Sequence, residues 1–424
     1  MSIKKPELLA PAGSLNHLHM ALNYGADAIY AGIPRWSLRV RGNGFTREDF
    51  AKGIAEIHQK SRKFFGVLNV IPHMRRVSSF LPALDEIAQL KPDAFIMADP
   101  GLIDCVINRY PEIPVHLSVQ ANTVNAGTVK FWQKIGVKRC ILARELSLSE
   151  IQMIRDECPD MELEVFVHGA LCIAVSGRCL ISGMLARRDA NTGACNNSCR
   201  WNYKSRNISY FKGEIEESEN RPGDWMPIEE DEHGSYIMNS KDLCALPLLK
   251  KLMEIGVDSL KIEGRSRSPL YCGAVTRAYR LAIDAIAEGQ EIPDESYEIV
   301  NSIPSRDYTT ALLEAHRPDE TQDYETNCPN PGHWQIVGDI VSQDANGDLF
   351  INVKNHFEST DTLAVMTPEG KFFLDAGSLR DENGQKMDVA KGSGWKALLH
   401  CDRRLDLSTS VLLRIDCVTV KLPK

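Results

Sequence analysis

Eight short apolar runs punctuate the first 290 residues: ELLAPAG, AIYAGI, FFGVLNV, AFIMADPG, VHLSVQANT, RCILARE, LEVFVHG and SLKIEGR. Between them lie stretches such as LNHLHMALNYG, REDFAKGIAEIHQKS, AGTVKFWQKIG and SLSEIQMIRDE, whose apolar residues recur at three and four and which often close on glycine. Strands that alternate with helices pair in parallel, because parallel neighbours need a crossover connection. Eight such pairs predict an α/β chain folded as a closed (β/α)8 TIM-like barrel over residues 1–290. The rival, an open doubly wound sheet, carries a glycine-rich phosphate loop after its first strand. That position reads APAGSLNH here, GNGFTR at Gly42 lacks the third glycine, and no G-x-x-x-x-G-K-[ST] occurs.

At 424 residues the chain exceeds what one core sustains, so a second, smaller domain is expected. After the helical pattern SPLYCGAVTRAYRLAIDAIAEG, a polar extension (291–330) leads into a tail (331–424). There DANGD, TPEGK and ENGQK are turn signals between alternating runs such as LFINVKNHF and DTLAVMT, which predicts a small antiparallel β-barrel domain. The start, MSIKKPELLAPAG, has no apolar region of signal-peptide length, and no run approaches the ~18 apolar residues of a membrane span. No membrane association and a cytoplasmic location are therefore expected, where the twelve cysteines are thiols or metal ligands rather than disulfides.

One acidic tract explains the net charge of -8, because Glu214 to Glu232 holds nine acids against Arg221 alone. The remainder is neutral overall. Basic clusters at Arg35, Arg39 and Arg41, at Arg75 and Arg76, at Arg187 and Arg188, and from Arg200 to Arg206 offer local surfaces for an anionic ligand. Taken singly, each is equally a solvated surface.

The seventh unit carries an insertion at about 170–240, far longer than an ordinary connection. Barrel chemistry belongs to loops at the C-terminal ends of strands, which is where this insertion lies. It contains Cys172, Cys179, Cys195 and Cys199, spaced C-x6-C-x15-C-x3-C. Four thiolates serve both zinc and iron-sulfur centres, and the first pair is wider than a zinc knuckle, which favours iron and sulfide. Four unligated thiols are the bland alternative. Cys105, Cys140, Cys158 and Cys272 read as core, and Cys244, a fifth candidate ligand, falls in the helix-like pattern SKDLCALPLLKKLMEIG.

Strand ends carry polar groups that a packed core would not choose: Asn69, Asp99, Gln120, Asn122, Arg144, Glu145, His168, Lys261, Glu263 and Arg265. His168, Glu145, Lys261 and Glu263 are the candidate catalytic groups, although Lys261 and Glu263 also suit strand-to-strand pairing, and His168 a purely hydrogen-bonding role. Arg144, Arg265, Asn69, Gln120, Arg187 and Arg188 are the candidate substrate contacts, the arginines through their fork geometry. Neither H-E-x-x-H nor G-x-S-x-G is present.

The stretch ELEVFVHGALCIAVSGRCLIS resembles the signature of the peptidase U32 family, with Glu164, Phe166, Gly169, Ala170, Leu171, Cys172, Gly177, Cys179, Ile181 and Ser182 on its fixed positions. ELLAPAGS, GADAIYAG, SVQANTVN, GACNNSCRW, SKDLC and SLKIEGRSRSP extend the likeness over the first 290 residues. The family's name records a peptidase or collagenase assignment, while its better understood members look like oxygen-independent hydroxylases with a [4Fe-4S] cluster on four cysteines. By length and tail the chain looks most like the branch that hydroxylates tRNA wobble uridine to 5-hydroxyuridine using prephenate. The resemblance implies Cys172, Cys179, Cys195 and Cys199 as ligands, with Cys244 as a substitute and zinc as the alternative metal. It implies tRNA and prephenate as partners, leaves room for a partner protein, and points to Arg35, Arg39, Arg41 and Arg200 as phosphate contacts. Trp36, Trp201 and Tyr203 are aromatics on which a base could stack. A peptidase and a non-catalytic, metal-bearing RNA-binding subunit are the alternatives.

Overall fold

All eight apolar runs are strands, and they close on one another. The structure, a computed structural model, describes residues 4–38, 44–171, 240–314 and 332–415, with the backbone of three further strands between 212 and 236. The first seven are β1 (Glu7–Ala12), β2 (Ala28–Gly32), β3 (Lys63–Leu68), β4 (Ala94–Met97), β5 (Val115–Leu117), β6 (Arg139–Ile141) and β7 (Glu162–Gly169). Within the insertion, β8 (Lys212–Glu216), β9 (Trp225–Asp231) and β10 (Gly234–Tyr236) form a small antiparallel sheet. Then come β11 (Asp242–Cys244), the eighth barrel strand β12 (Ser259–Ile262), and β13 (Tyr308–Thr309). β1 to β7 pair in sequence, and β12 pairs in parallel with both β1 and β7, which seals the barrel.

Local chemistry fixes the helices around it. Thr46 and Ser147 make reciprocal capping boxes with Asp49 and Glu150, satisfying first-turn N–H groups at Arg47–Gln59 and Leu148–Glu157. Gly136, at φ +106, closes the helix Ala126–Ile135 in the left-handed conformation that glycine adopts without strain. Among the described residues no helix is long and apolar enough to cross a membrane.

The segment SKDLCALPLLKKLMEIG departs from its helical expectation. Asp242–Cys244 is a strand, antiparallel to the upper end of β7 with Leu243 opposite Gly169 and Cys244 opposite His168. Backbone pairing with an open strand end outweighs the local helix pattern, and the helix starts only at Leu249, after a 3-10 turn over Leu246–Leu248. The extension 291–330 contributes the helix Asp294–Ser302 and β13, which pairs with β11.

The tail forms β14 (Trp334–Gln343), β15 (Asp348–Val353), β16 (Phe357–Glu358), β17 (Leu363–Thr367), β18 (Gly370–Leu374), β19 (Val389–Ala390), β20 (Lys396–His400) and β21 (Val411–Ile415). Six of them make an antiparallel sheet in the order β18-β17-β21-β14-β15-β20. Two expected turns lie between strands: DANGD joins β14 to β15 with Gly347 at φ +90, and TPEGK joins β17 to β18 with Gly370 at φ +149. Alternation splits the sheet's faces, so Leu412 and Val365 pack into the domain's own core while Leu413 and Met366 join the barrel's helices with Trp334.

At that junction the buried Tyr24 hydroxyl donates to the Thr409 carbonyl at 2.8 Å and lies 3.2 Å from that of Met366. Replacing Tyr24 with Phe is expected to lower the stability of the whole chain by about 1–3 kcal/mol, because buried carbonyls lose their donor. Urea unfolding monitored by tryptophan fluorescence checks this, and an unchanged midpoint would contradict it.

Candidate active site

The barrel interior is charged at its lower end. Arg139, at the start of β6, reaches Glu7 at 2.6 Å, Glu162 at 2.8 Å and Glu164 at 3.1 Å. Lys261 of β12 donates to the other Glu164 oxygen at 2.8 Å. Glu164 is fully buried, and burial alone would raise its carboxyl, but Lys261 and then Arg139 outweigh that and hold it below the ordinary glutamate range. The Lys261 ammonium also lies 4.4 Å from the Tyr30 ring centre and 5.5 Å from that of Phe166. Lys261 thus pairs across strands as one of its two expectations allowed, with Glu164 rather than Glu263.

Above this floor the C-terminal mouth gathers most of the expected polar residues. The Arg144 guanidinium lies over the Phe166 ring at 4.1 Å and donates to the Ala170 carbonyl at 2.9 Å. A shallow recess beside it is lined by Phe166, Leu171, Leu243 and Leu313. Arg265 donates to the Leu38 carbonyl at 2.5 Å, and Asn69 accepts from the Leu38 N–H at 3.0 Å, so together they pin the loop after β2. Gly32 makes this possible, since a Cβ there would collide with Arg265 Nη1 and Ser37 Oγ. Glu263 accepts from the Ala170 N–H at 3.3 Å, across Gly169, whose φ of +113 demands glycine, as does the Glu263 carbonyl that an added Cβ would meet at 2.7 Å. Glu145 is half-buried, one residue beyond Arg144. Gln120 is buried after β5.

His168 turns the other way. Its ring packs among Tyr271, Tyr279 and Tyr308, behind the barrel wall, with the Tyr279 hydroxyl 3.4 Å from Nδ1. Burial, aided by the Arg267 charge, pushes its pKa down to about 3, so the ring is neutral. These surroundings suit the hydrogen-bonding role rather than that of proton donor. Cys244 shares the cluster, 3.9 Å from the Tyr279 hydroxyl, and burial pushes its thiol up to about 11. Cys140 and Cys272 are core thiols as expected, both pushed up to about 12 by burial.

Trp36, expected as a stacking platform, is buried against Phe80 and covered by Arg76. Arg35 beside it is exposed and held at φ +68, with its carbonyl accepting from Arg76. Arg39, Arg41, Cys172, Cys179, Arg187, Arg188, Cys195, Cys199, Arg200, Trp201 and Tyr203 lie outside the described residues. Among the described residues no group of three or more His, Cys, Asp or Glu is arranged to hold a metal ion. Sequence reasoning missed Tyr30, which looked like an ordinary strand residue, and the Ser14 hydroxyl, 2.7 Å from His17 Nδ1.

Comparison with known proteins fits this architecture. The family model described as "Peptidase family U32" matches residues 13–323, and that of the "Peptidase family U32 C-terminal domain" matches 333–414. "tRNA hydroxylation protein P" of Escherichia coli is 43% identical, covering 97% of each chain. "tRNA hydroxylation protein P1" of Bacillus subtilis is 33% identical over 92% of this chain and 90% of its own. "Collagenase" of Porphyromonas gingivalis is 32% identical over 68% of each.

Removing one partner from the buried ion cluster, as in Glu164→Gln or Lys261→Met, is expected to cost about 3–5 kcal/mol in urea unfolding. Because the folded carboxyl titrates below its unfolded value, its contribution is complete above the ordinary glutamate range and is lost as pH falls through the lowered value. Glu164→Gln should therefore flatten the acid limb of the stability curve, and an unaltered limb would contradict the assignment. His168, observed by NMR, should show no titration between about pH 5 and 8, where an unperturbed histidine changes charge.

Proposed function

We propose, on the footing that the chain belongs to peptidase family U32, that it is a tRNA-modifying enzyme which converts wobble uridine to 5-hydroxyuridine without molecular oxygen and with prephenate as co-substrate. The observation that carries the reading is the convergence of Lys261, Arg144 and Arg265 on the Tyr30 and Phe166 rings, in a barrel whose relatives along nearly the whole chain are named for tRNA hydroxylation. Lys261 is paired with Glu164, and the guanidinium groups of Arg144 and Arg265, with their planar fork, suit a small dicarboxylate by geometry. Phe166 and Leu171, beside Arg144, offer apolar surface for the body of such a ligand. Arg187 and Arg188 are further candidates for the carboxylates, and Glu145 and Glu263 for proton handling at the mouth.

For the RNA, Arg35 is exposed at the mouth and suits a phosphate, and Arg39, Arg41 and Arg200 belong to the same proposal. Cys172, Cys179, Cys195 and Cys199 would hold a [4Fe-4S] cluster, since four thiolates are a regular donor set for it. When bound it supplies electron transfer. Cys172 follows the end of β7 by three positions, at the catalytic end of a barrel of this kind. Cys244, buried beside Tyr279 and opposite His168 at the end of β7, stays the substitute ligand of this proposal.

A peptidase has one specific observation in its favour, the contact of Ser14 with His17. That ring is oriented through Nε2 by the Arg267 carbonyl at 2.7 Å instead of by a carboxylate. Rigorously purified protein is expected to leave denatured collagen uncut.

Deleting the gene should remove 5-hydroxyuridine from cellular tRNA, as read by nucleoside mass spectrometry. Wild-type protein purified without oxygen should be brown, and Cys172→Ala colourless. Colourless wild-type protein with stoichiometric zinc would overturn the cofactor, and unchanged tRNA in the deletion strain would overturn the function.

A further inference from the structure

The turn after β5 concentrates polar atoms that the fold leaves unpaired. Gln120 is 3% exposed, and neither its amide oxygen nor its amide nitrogen has a hydrogen-bond partner. Two residues on, Asn122 holds an unpartnered Oδ1 at φ +54, and Thr123, fully buried, has an unpartnered hydroxyl. Each sealed, unpaired group costs about 1–3 kcal/mol, and a non-glycine residue in the left-handed region adds strain. The polar floor of the same barrel, by contrast, pairs Glu164, Lys261 and Arg139 fully.

Backbone bonds hold the turn in place against the strand end that carries Arg144. Ser118 N–H donates to the Met97 carbonyl at 2.6 Å, and the Thr123 carbonyl accepts from Ala143 N–H at 3.1 Å, one residue before Arg144. The turn is therefore fixed at the C-terminal mouth between the loops of β4 and β6. An amide sealed from solvent is reached only as that mouth opens, so binding there includes a conformational step.

The chemistry of the unpaired atoms selects the ligand. A carboxylate or phosphate has acceptors only, so it would satisfy the Gln120 nitrogen and leave the oxygen stranded. The imide edge of uracil presents an N–H next to a carbonyl, which answers both atoms of the carboxamide at once. Resting on the tRNA reading above, we propose that Gln120, with Asn122 beside it, is the base-holding element of this site and grips the imide edge of the target uracil. Cytosine offers the reversed pair, which the amide meets by flipping. Gln120 thus separates a base edge from an anion, not uracil from cytosine.

The test compares two anticodon stem-loop RNAs, one with uridine at the wobble position and one abasic there, by fluorescence anisotropy on the anaerobically purified full chain. Wild-type protein should prefer the uridine RNA by about ten-fold or more, the value of one good bidentate contact. Gln120→Leu should abolish the preference and raise the urea midpoint, because it removes two unpaired polar atoms from a buried position. Gln120→Met repeats the test with a second apolar side chain of similar length. A Leu or Met variant that keeps the preference, or that loses stability while binding RNA unchanged, overturns the proposal. So does a defect confined to the prephenate dependence of the reaction. Equal, tight binding of both RNAs by wild-type protein overturns the base contact and leaves the tRNA reading standing. Binding of neither RNA removes both.

Discussion

A single carboxylate, that of Glu164, sealed between Lys261 and Arg139, sets the terms for the rest of the barrel. Barrels of this type ordinarily fill their interior with layers of branched apolar side chains. Here the lower interior is an ion cluster that also takes in Glu7 and Glu162, and it persists only because every charge in it has a partner at hydrogen-bonding distance. The cluster joins β1, β6, β7 and β12, the strands on either side of the closure. It also pairs the Lys261 ammonium, beneath the mouth where Arg144 and Arg265 lie.

Between floor and mouth lie two rings, Tyr30 and Phe166, which meet Lys261 on one side and a guanidinium on the other. The mouth itself is built with less economy of strain. Gly32 and Gly169 let side chains press against backbone, Arg35 and Asn122 occupy left-handed conformations, and the Gln120 amide is left unpaired. A fully paired ion cluster beneath a mouth that carries strained backbone and an unpartnered amide is the distribution expected where stability is held in the scaffold and given up at the site.

The barrel was legible because its strands are buried on both faces and read as uninterrupted apolar runs, such as AFIMADPG, bounded by glycine and helix caps. The tail was legible from its turns, whose glycines stand at positive φ where the sequence placed them. SKDLC was not, since its register on β7 depends on a strand end that lies seventy residues away in the chain. Nor does a pattern tell which way a side chain leaves a strand near a bulge: β7 and β12 shift register between Lys261 and Ile262, and His168 faces the outer helix. The polar residues at the strand ends were visible as types. Which of them pair in the ion cluster, which hold loops at the mouth and which, like Gln120, stay unpartnered is a matter of distances that only the closed barrel supplies.

The hydroxylation of tRNA proposed for this mouth can be reconstituted from purified parts. Protein purified and held without oxygen is incubated with tRNA from cells that lack the modification, with and without prephenate, and the digested nucleosides are weighed by mass spectrometry. Uridine is expected to gain one oxygen atom only when both the protein and prephenate are present, and Arg144→Ala to lose turnover while remaining folded. Protein that carries its cluster and binds tRNA, yet yields no hydroxylated uridine under these conditions, would contradict it.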